Sequence, residues 1–178
     1  MLGNTALNGP HWAFSLAVYG EEAVPAACLF LQDAYGVDVN ILLLGLYGAS
    51  RLNVDLTEAE IEALDAAVRE FRERVVVPLR GVRQWLKGAP FGEPGDNIRN
   101  QVKETELRAE QLEQAIILEW MANAKPTPPT GDLSATAARI VKHFARRTAA
   151  SNGLASDSLA AEAIKTIAAA AASAGNRP

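Results

Sequence analysis

The sequence has little of what usually announces chemistry. Among 178 residues there is one cysteine, Cys28, and there are two histidines, His11 and His143. A single cysteine excludes a disulfide framework and any multi-cysteine zinc site, and two histidines exclude histidine-rich metal centres. Positive charge is not in excess, since the formal net charge is −4, which gives no global reason to expect nucleic acid. No glycine-rich phosphate loop follows a strand, and there is no nucleophile elbow and no H-E-x-x-H. Long apolar runs are also missing. The longest, Val39 to Ala49, falls short of the roughly 20 residues that span a bilayer. Residues 1–20 hold no Lys or Arg, and the apolar stretch Trp12 to Tyr19 is short, so no signal peptide is expected. A cytoplasmic protein without cofactor or metal is the expectation.

What is present is enough apolar material for a core: 49% of residues are hydrophobic and 21% charged, a balance that argues against wholesale disorder. The charge is unevenly spread. Residues 1–56 carry five acids and one base, residues 57–125 thirteen acids and ten bases, and residues 126–178 three acids and six bases. An acidic apolar head, a heavily charged middle and a basic tail result. Three prolines between Lys125 and Asp132 read as a stiff linker. The expected organisation is a helical core domain over 1–125, a Pro-rich linker over 126–132, and a basic, Ala-rich helical tail over 133–178.

Within the head, Pro25 suits the first turn of a helix that Gly36 can close in a left-handed cap. Asp38 can cap the next helix, Val39 to Ser50, whose all-round apolar run Ile41 to Leu44 implies burial on most sides. In the middle, Thr57 and Glu60 form a capping box. Apolar residues then recur at Ile61, Leu64, Val68, Phe71, Val75, Leu79, Val82 and Leu86, one face of a long helix that Pro78 should kink. After a turn over 88–95, with Asp96 as expected N-cap, a second long helix follows. Its expected seam is Ile98, Val102, Thr105, Ala109, Leu112, Ile116 and Trp120. Together they predict an antiparallel helical hairpin. The tail offers one helix with Ala137, Ile140, Val141 and Phe144 inward, and an Ala-rich one that can fray as easily as pack. The fold class is therefore all-α, a compact helical domain built on a long kinked hairpin packed with short apolar N-terminal helices, with a C-terminal helical tail.

The strings Trp12-Ala13-Phe14-Ser15-Leu16-Ala17-Val18-Tyr19 and Ala27-Cys28-Leu29-Phe30-Leu31-Gln32-Asp33-Ala34-Tyr35-Gly36-Val37-Asp38-Val39-Asn40 resemble a family of short bacterial proteins of unknown function. The family's pattern is W-x-F-S-L-x-V-Y, then A-C-L-x-L-Q-D-x-x-G-x-D-V-N-x-L-L. Pro78-Leu79-Arg80, Arg83, Lys87, Lys103, Glu106-Leu107 and Ala109-Glu110 fit it too. The likeness spans roughly residues 11 to 121 and leaves out the tail. It implies a bacterial, cytoplasmic protein and brings no activity, ligand or catalytic residue.

Three constellations remain as candidate sites. Gln32, Asp33, Asp38 and Asn40 gather oxygens around Gly36, where they can bind a cation or polar ligand or merely satisfy helix ends. Arg80, Arg83 and Lys87 each lie one residue past the first seam, as Arg99, Lys103, Glu106, Glu110 and Glu113 do past the second. One residue is about 100° of rotation, so both stripes share one flank of the hairpin, with Arg80 opposite Glu104 to Glu106. Covered by the head, that flank is a polar pocket for an anion or for acid–base work; uncovered, it is a solvated face with weak ion pairs. Arg139, Lys142, His143, Arg146 and Arg147 form a basic stripe on the tail helix. Cys28 is expected to be an inert core residue, His143 a surface residue, and Trp12, Trp85 and Trp120 core anchors. The expected role is that of a non-catalytic helical interaction protein whose partner is another protein or a second copy. The alternatives are an enzyme or ligand-binding protein with a pocket at Arg80, Arg83, Lys103, Glu106 and Glu110, and nucleic-acid or membrane-surface association through the tail.

Overall fold

The computed structural model describes residues 7–123, 128, 132–148 and 157–175. Among them there are helices and turns and no extended strand pairing beyond an isolated bridge residue at Asp55. Helix α1 runs Pro10–Tyr19 and α2 runs Val24–Tyr35, each with a proline in its first turn. The two axes are bent by 95°. Gly36 ends α2 at φ 68°, and its N–H bonds the Gln32 carbonyl, the left-handed cap that glycine adopts at no steric cost. Asp38 then starts α3, Val39–Tyr47, by accepting from the Asn40 and Ile41 amides at 2.8 and 3.1 Å. Every residue from Asn40 to Tyr47 is buried, as an all-round apolar helix requires. α3 is the axis of the fold; it touches the α1 helix and three later ones, α6 (Gly92–Asn123), α7 (Leu133–Ala145) and α8 (Ser158–Gly175).

A π turn, Gly48–Leu52, carries α3 into a loop, and the Thr57–Glu60 capping box opens α4, Glu58–Phe71. Pro78 produces the expected disturbance one turn early. It has no N–H for the Arg74 carbonyl, and the chain widens into a π turn over Arg72–Val76 before α5, Val77–Leu86. The extra residue of such a turn advances the helix phase by about 100°. The buried face therefore passes from Val75 to Val76, while Val82 is 47% and Trp85 68% exposed. Neither the expected seam position at Val82 nor the expected core anchor at Trp85 holds, and Arg80 and Arg83 turn inward instead.

The second arm also departs from expectation. It begins at Gly92 rather than after Asp96. Ile98 is exposed, and the buried positions are Glu106, Ala109, Glu113, Gln114, Ala115, Ile117 and Met121. The apolar pattern misplaced this seam by about one residue because polar side chains occupy it, and their partners come from other helices.

The C-terminal helices share one core with the head. Ala137, Ile140, Val141 and Phe144 of α7 and Ile167, Ala171 and Ala174 of α8 lie in the same buried cluster as Leu31, Ile41 and Ile61. A β-carbon on Gly45 of α3 would collide with Ile140, so α3 and α7 approach closely. The Ala-rich helix packs rather than frays, and its small side chains are what let it lie close to α2. The expected linker lies almost wholly outside the described residues. No single described helix is long and apolar enough to cross a membrane.

Candidate binding site between the head helices and the hairpin

The two head helices and the hairpin enclose a cavity of about 320 Å³. Helix periodicity builds it. α1 contributes Trp12, Ser15, Leu16 and Tyr19, and α2 contributes Cys28, Leu29 and Gln32, spacings of three and four that put each set on one face. Val39, Asn40 and Leu43 of α3 form another wall, and Leu107 of α6 adds an apolar surface. Leu16, Leu29, Leu107 and Tyr19 are among the large hydrophobic residues left partly exposed, so the opening is apolar.

The charges of the site come from the hairpin. Arg80 donates through Nε to Glu106 at 3.2 Å, through Nη1 to the Gln32 side-chain oxygen at 2.5 Å, and through Nη2 to Glu110 at 2.8 Å. Arg83 grips Glu106 with two groups, Nε on Oε2 and Nη2 on Oε1 at 3.1 Å. Such a fork is among the stronger polar contacts. Glu106 is thus fully engaged between two guanidiniums. Burial pushes the Glu110 carboxyl above the ordinary glutamate range, with Arg80 opposing and the Glu106 and Asp38 charges adding to it. Lys103 completes the lining and forms no hydrogen bond or ion pair among the described residues. Burial also raises the Cys28 thiol to about 12, so it is no nucleophile at neutral pH.

Beneath the cavity runs a polar chain that joins two residues singled out in the sequence, Asn40 and Glu113, to two that were not, Ser15 and Gln114. Ser15 Oγ donates to Gln114 Oε1 at 3.0 Å, Gln114 Nε2 to Asn40 Oδ1 at 2.9 Å, and Asn40 Nδ2 to Glu113 Oε2 at 2.7 Å. All four residues are buried. Glu113 lies on the charged stripe one residue past the second seam, whereas Ser15 and Gln114 carry no such signal.

Of the expected pocket residues, Arg80, Arg83, Lys103, Glu106 and Glu110 converge, whereas Lys87 and Arg99 do not line the cavity. Lys87 lies at the end of α5 and is exposed. The helix-end cluster serves several partners, since Gln32 serves Arg80, Asn40 serves the polar chain, Asp38 caps α3 and holds Arg72 at 2.6 Å, and Asp33 is exposed, but all four residues line one further cavity around Gly36. No group of three or more His, Cys, Asp or Glu suited to a metal occurs among the described residues.

The basic stripe of α7 is spent on acids of the same chain. Arg139 meets Asp55 at 2.9 Å, and Lys142 and Arg146 meet Glu58 at 3.1 and 2.9 Å. His143 is buried, contrary to its expected surface position, with Nε2 3.1 Å from Asp65, because α7 lies along α4. Asp65 also receives Arg69, Arg72 and Arg147. Burial alone would raise its carboxyl; hydrogen bonds from Arg69, Arg72 and His143 outweigh that and hold it at about 2.

A family model described as a protein of unknown function, DUF2390, matches residues 10–117. The chain belongs to this family. The DUF2390 match contains every residue that lines the cavity, from Trp12 to Gln114, and stops short of α7 and α8. No curated protein and no solved structure matches the chain.

Proposed function

We propose that this DUF2390 protein binds a small organic anion with an apolar body in the cavity between head and hairpin. The observation that carries the reading is the surplus of donors there. Two arginines and Lys103 face two glutamates. After Glu106 and Glu110 are paired, Arg83 Nη1 and the Lys103 ammonium are left without partners among the described residues. Unengaged cationic donors beside apolar walls suit a carboxylate or phosphate carried on a hydrocarbon or aromatic frame. The walls from Trp12, Leu16, Leu29 and Leu43 receive the frame. The site holds no activated nucleophile, so binding rather than turnover is the reading the geometry favours.

The test is titration with octanoate and phenylacetate, followed by melting temperature and Trp12 fluorescence, with octanol and phenylacetamide as neutral counterparts. The acids raise the melting temperature and the neutral compounds do not. Arg83→Ala and Lys103→Ala each weaken acid binding about tenfold. Equal binding of acid and neutral compound, or binding of neither, overturns the reading.

A second reading, association with a protein partner, is favoured by one observation. Trp85, Phe91 and Ile98 cluster at the hairpin tip with at least half of each exposed, and the Trp85 and Phe91 rings lie 5.8 Å apart. Exposed aromatics of this kind mark interaction surfaces. Sedimentation of wild type and Trp85→Ala across a concentration series tests self-association there; a monomer at every concentration removes the second-copy form of this reading.

A further inference from the structure

Behind the Gln32–Arg80 hydrogen bond lies a second cavity of about 460 Å³, which shares Gln32, Asn40 and Arg80 with the first. Its polarity is reversed. Both arginines in its lining are committed to other groups: Arg72 to Asp38 at 2.6 Å and Asp65 at 2.7 Å, and Arg80 to Gln32, Glu106 and Glu110. Its carboxyl groups are not all used. Glu113 has no exposed surface, and while Oε2 accepts from Asn40, Oε1 has no donor group to accept from and lies against the Asp38 carboxyl. Val37, Val39, Val76 and Val77 supply an apolar wall.

We propose that this second cavity binds an aliphatic primary amine as its ammonium ion, with the head between the Glu113 and Asp38 carboxyls and the hydrocarbon along the valines. Two facing buried carboxyls can both ionise only where a cation lies with them, and a ligand ammonium supplies that cation. In the free protein a proton occupies that position. Burial, the Asp38 charge and a hydrogen bond with Asp38 push the Glu113 carboxyl up to about 9, against the opposing Asn40 hydrogen bond and Arg72 charge, which favours its neutral form at pH 7.5. An ammonium brings one positive charge and three donors. It takes the place of the proton, which leaves to solvent, and the Glu113 carboxylate then forms the ion pair. The three acids of the lining, Asp33, Asp38 and Glu113, do not form a group suited to a metal ion, and a divalent cation takes six or more oxygens. The inference does not depend on the anion reading, because the unengaged groups of the two cavities are different residues.

The experiment is calorimetric titration of the full chain with n-butylammonium at pH 7.5, in phosphate and in Tris, for wild type, Glu113→Gln and Arg83→Ala. Wild type binds saturably and releases protons, which shows as a buffer-dependent heat. Glu113→Gln binds about thirtyfold more weakly and releases none. Arg83→Ala, which alters only the first cavity, binds the amine as wild type does. Glutamine matches the size and neutrality of protonated Glu113, so the variant keeps the fold, and its melting curve verifies this. Should it fail to fold, two measurements on wild type still decide: proton release, and competition by potassium. No butylammonium binding, equal affinity in a folded Glu113→Gln, absence of proton release, or displacement by equimolar potassium overturns the proposal.

Discussion

Two polar clusters meet at Arg72, which pairs with both Asp65 and Asp38, and they are built on different principles. Around Asp65, one fully buried carboxylate is met by Arg69, Arg72, Arg147 and His143, so the acceptor is saturated, although Arg69 Nε has no partner and Arg72 also lines the second cavity. Around Arg83 and Glu113 the matching stops one partner short: donors are left over in one cavity and a carboxyl oxygen in the next. A saturated buried network fixes helices to each other. An unsaturated one beside empty space is where a ligand contributes what the chain does not. Breaking each cluster in turn separates these roles.

The largest effect is expected at the saturated cluster. Asp65→Ala leaves three guanidiniums and an imidazole around an apolar methyl, and removal of one partner of a buried ionic group costs about 3–5 kcal/mol. Urea unfolding of the variant reads this loss directly. Octanoate affinity, extrapolated to the folded fraction, stays at the wild-type value. A stability loss below about 1 kcal/mol would show that the four contacts are solvated ion pairs of ordinary worth.

Next in size is the junction of tail and head. Ile140 and Phe144 are buried against α3 and its neighbours, and Ile140→Ala opens a cavity costing about 2–5 kcal/mol. Val82→Ala at the exposed face of α5 stays within about 0.5 kcal/mol. A chain ending at residue 125 loses the α7 and α8 faces from the core and melts far lower than the full chain. If it instead melts at the same temperature, the tail is the separable appendage that the prolines of the 126–132 segment suggested.

That contrast shows where the sequence is readable. Capping chemistry is local, so Gly36, Asp38, the Thr57–Glu60 box and Asp132 sit where their neighbours dictate. The all-α class and the hairpin follow from apolar periodicity over long windows. Periodicity fails where the seam is polar. Glu106, Glu113 and Gln114 are buried because Arg80, Arg83, Asn40 and Ser15 come from other helices, and no spacing within α6 reports that. It fails again at Pro78, where the kink is foreseeable but the one-residue phase shift that turns Arg80 and Arg83 inward is not. The basic stripe of α7 was visible, but its acidic partners lie some eighty residues earlier.

The two clusters also answer pH in opposite directions. The Asp65 carboxyl is held at about 2, below the ordinary aspartate value of 3.8. Its contribution, about 2 kcal/mol, is present above pH 4 and lost as pH falls toward 2. Glu113 has a folded pKa raised to about 9 from 4.5. The folded state therefore holds a proton that the unfolded state has released, and this contribution is full below pH 4.5 and declines as pH rises toward 9. Wild type should lose stability between pH 5 and pH 8, with a slope of at most about 1.4 kcal/mol per pH unit from this group. Glu113→Gln should flatten that slope. Parallel curves for wild type and variant would mean that Glu113 is ionised in the folded protein.

A small stability effect is expected at the residue with the largest assigned role in anion binding. Arg83 is half-buried, and its loss leaves Glu106 still held by Arg80 at 3.2 Å. Arg83→Ala should cost about 1 kcal/mol or less in stability, against about a tenfold loss of octanoate affinity. That ratio separates a binding residue from a structural one. If Arg83→Ala destabilises as much as Asp65→Ala and leaves octanoate affinity intact, the hairpin cluster is a second saturated network, and the contrast between the two collapses.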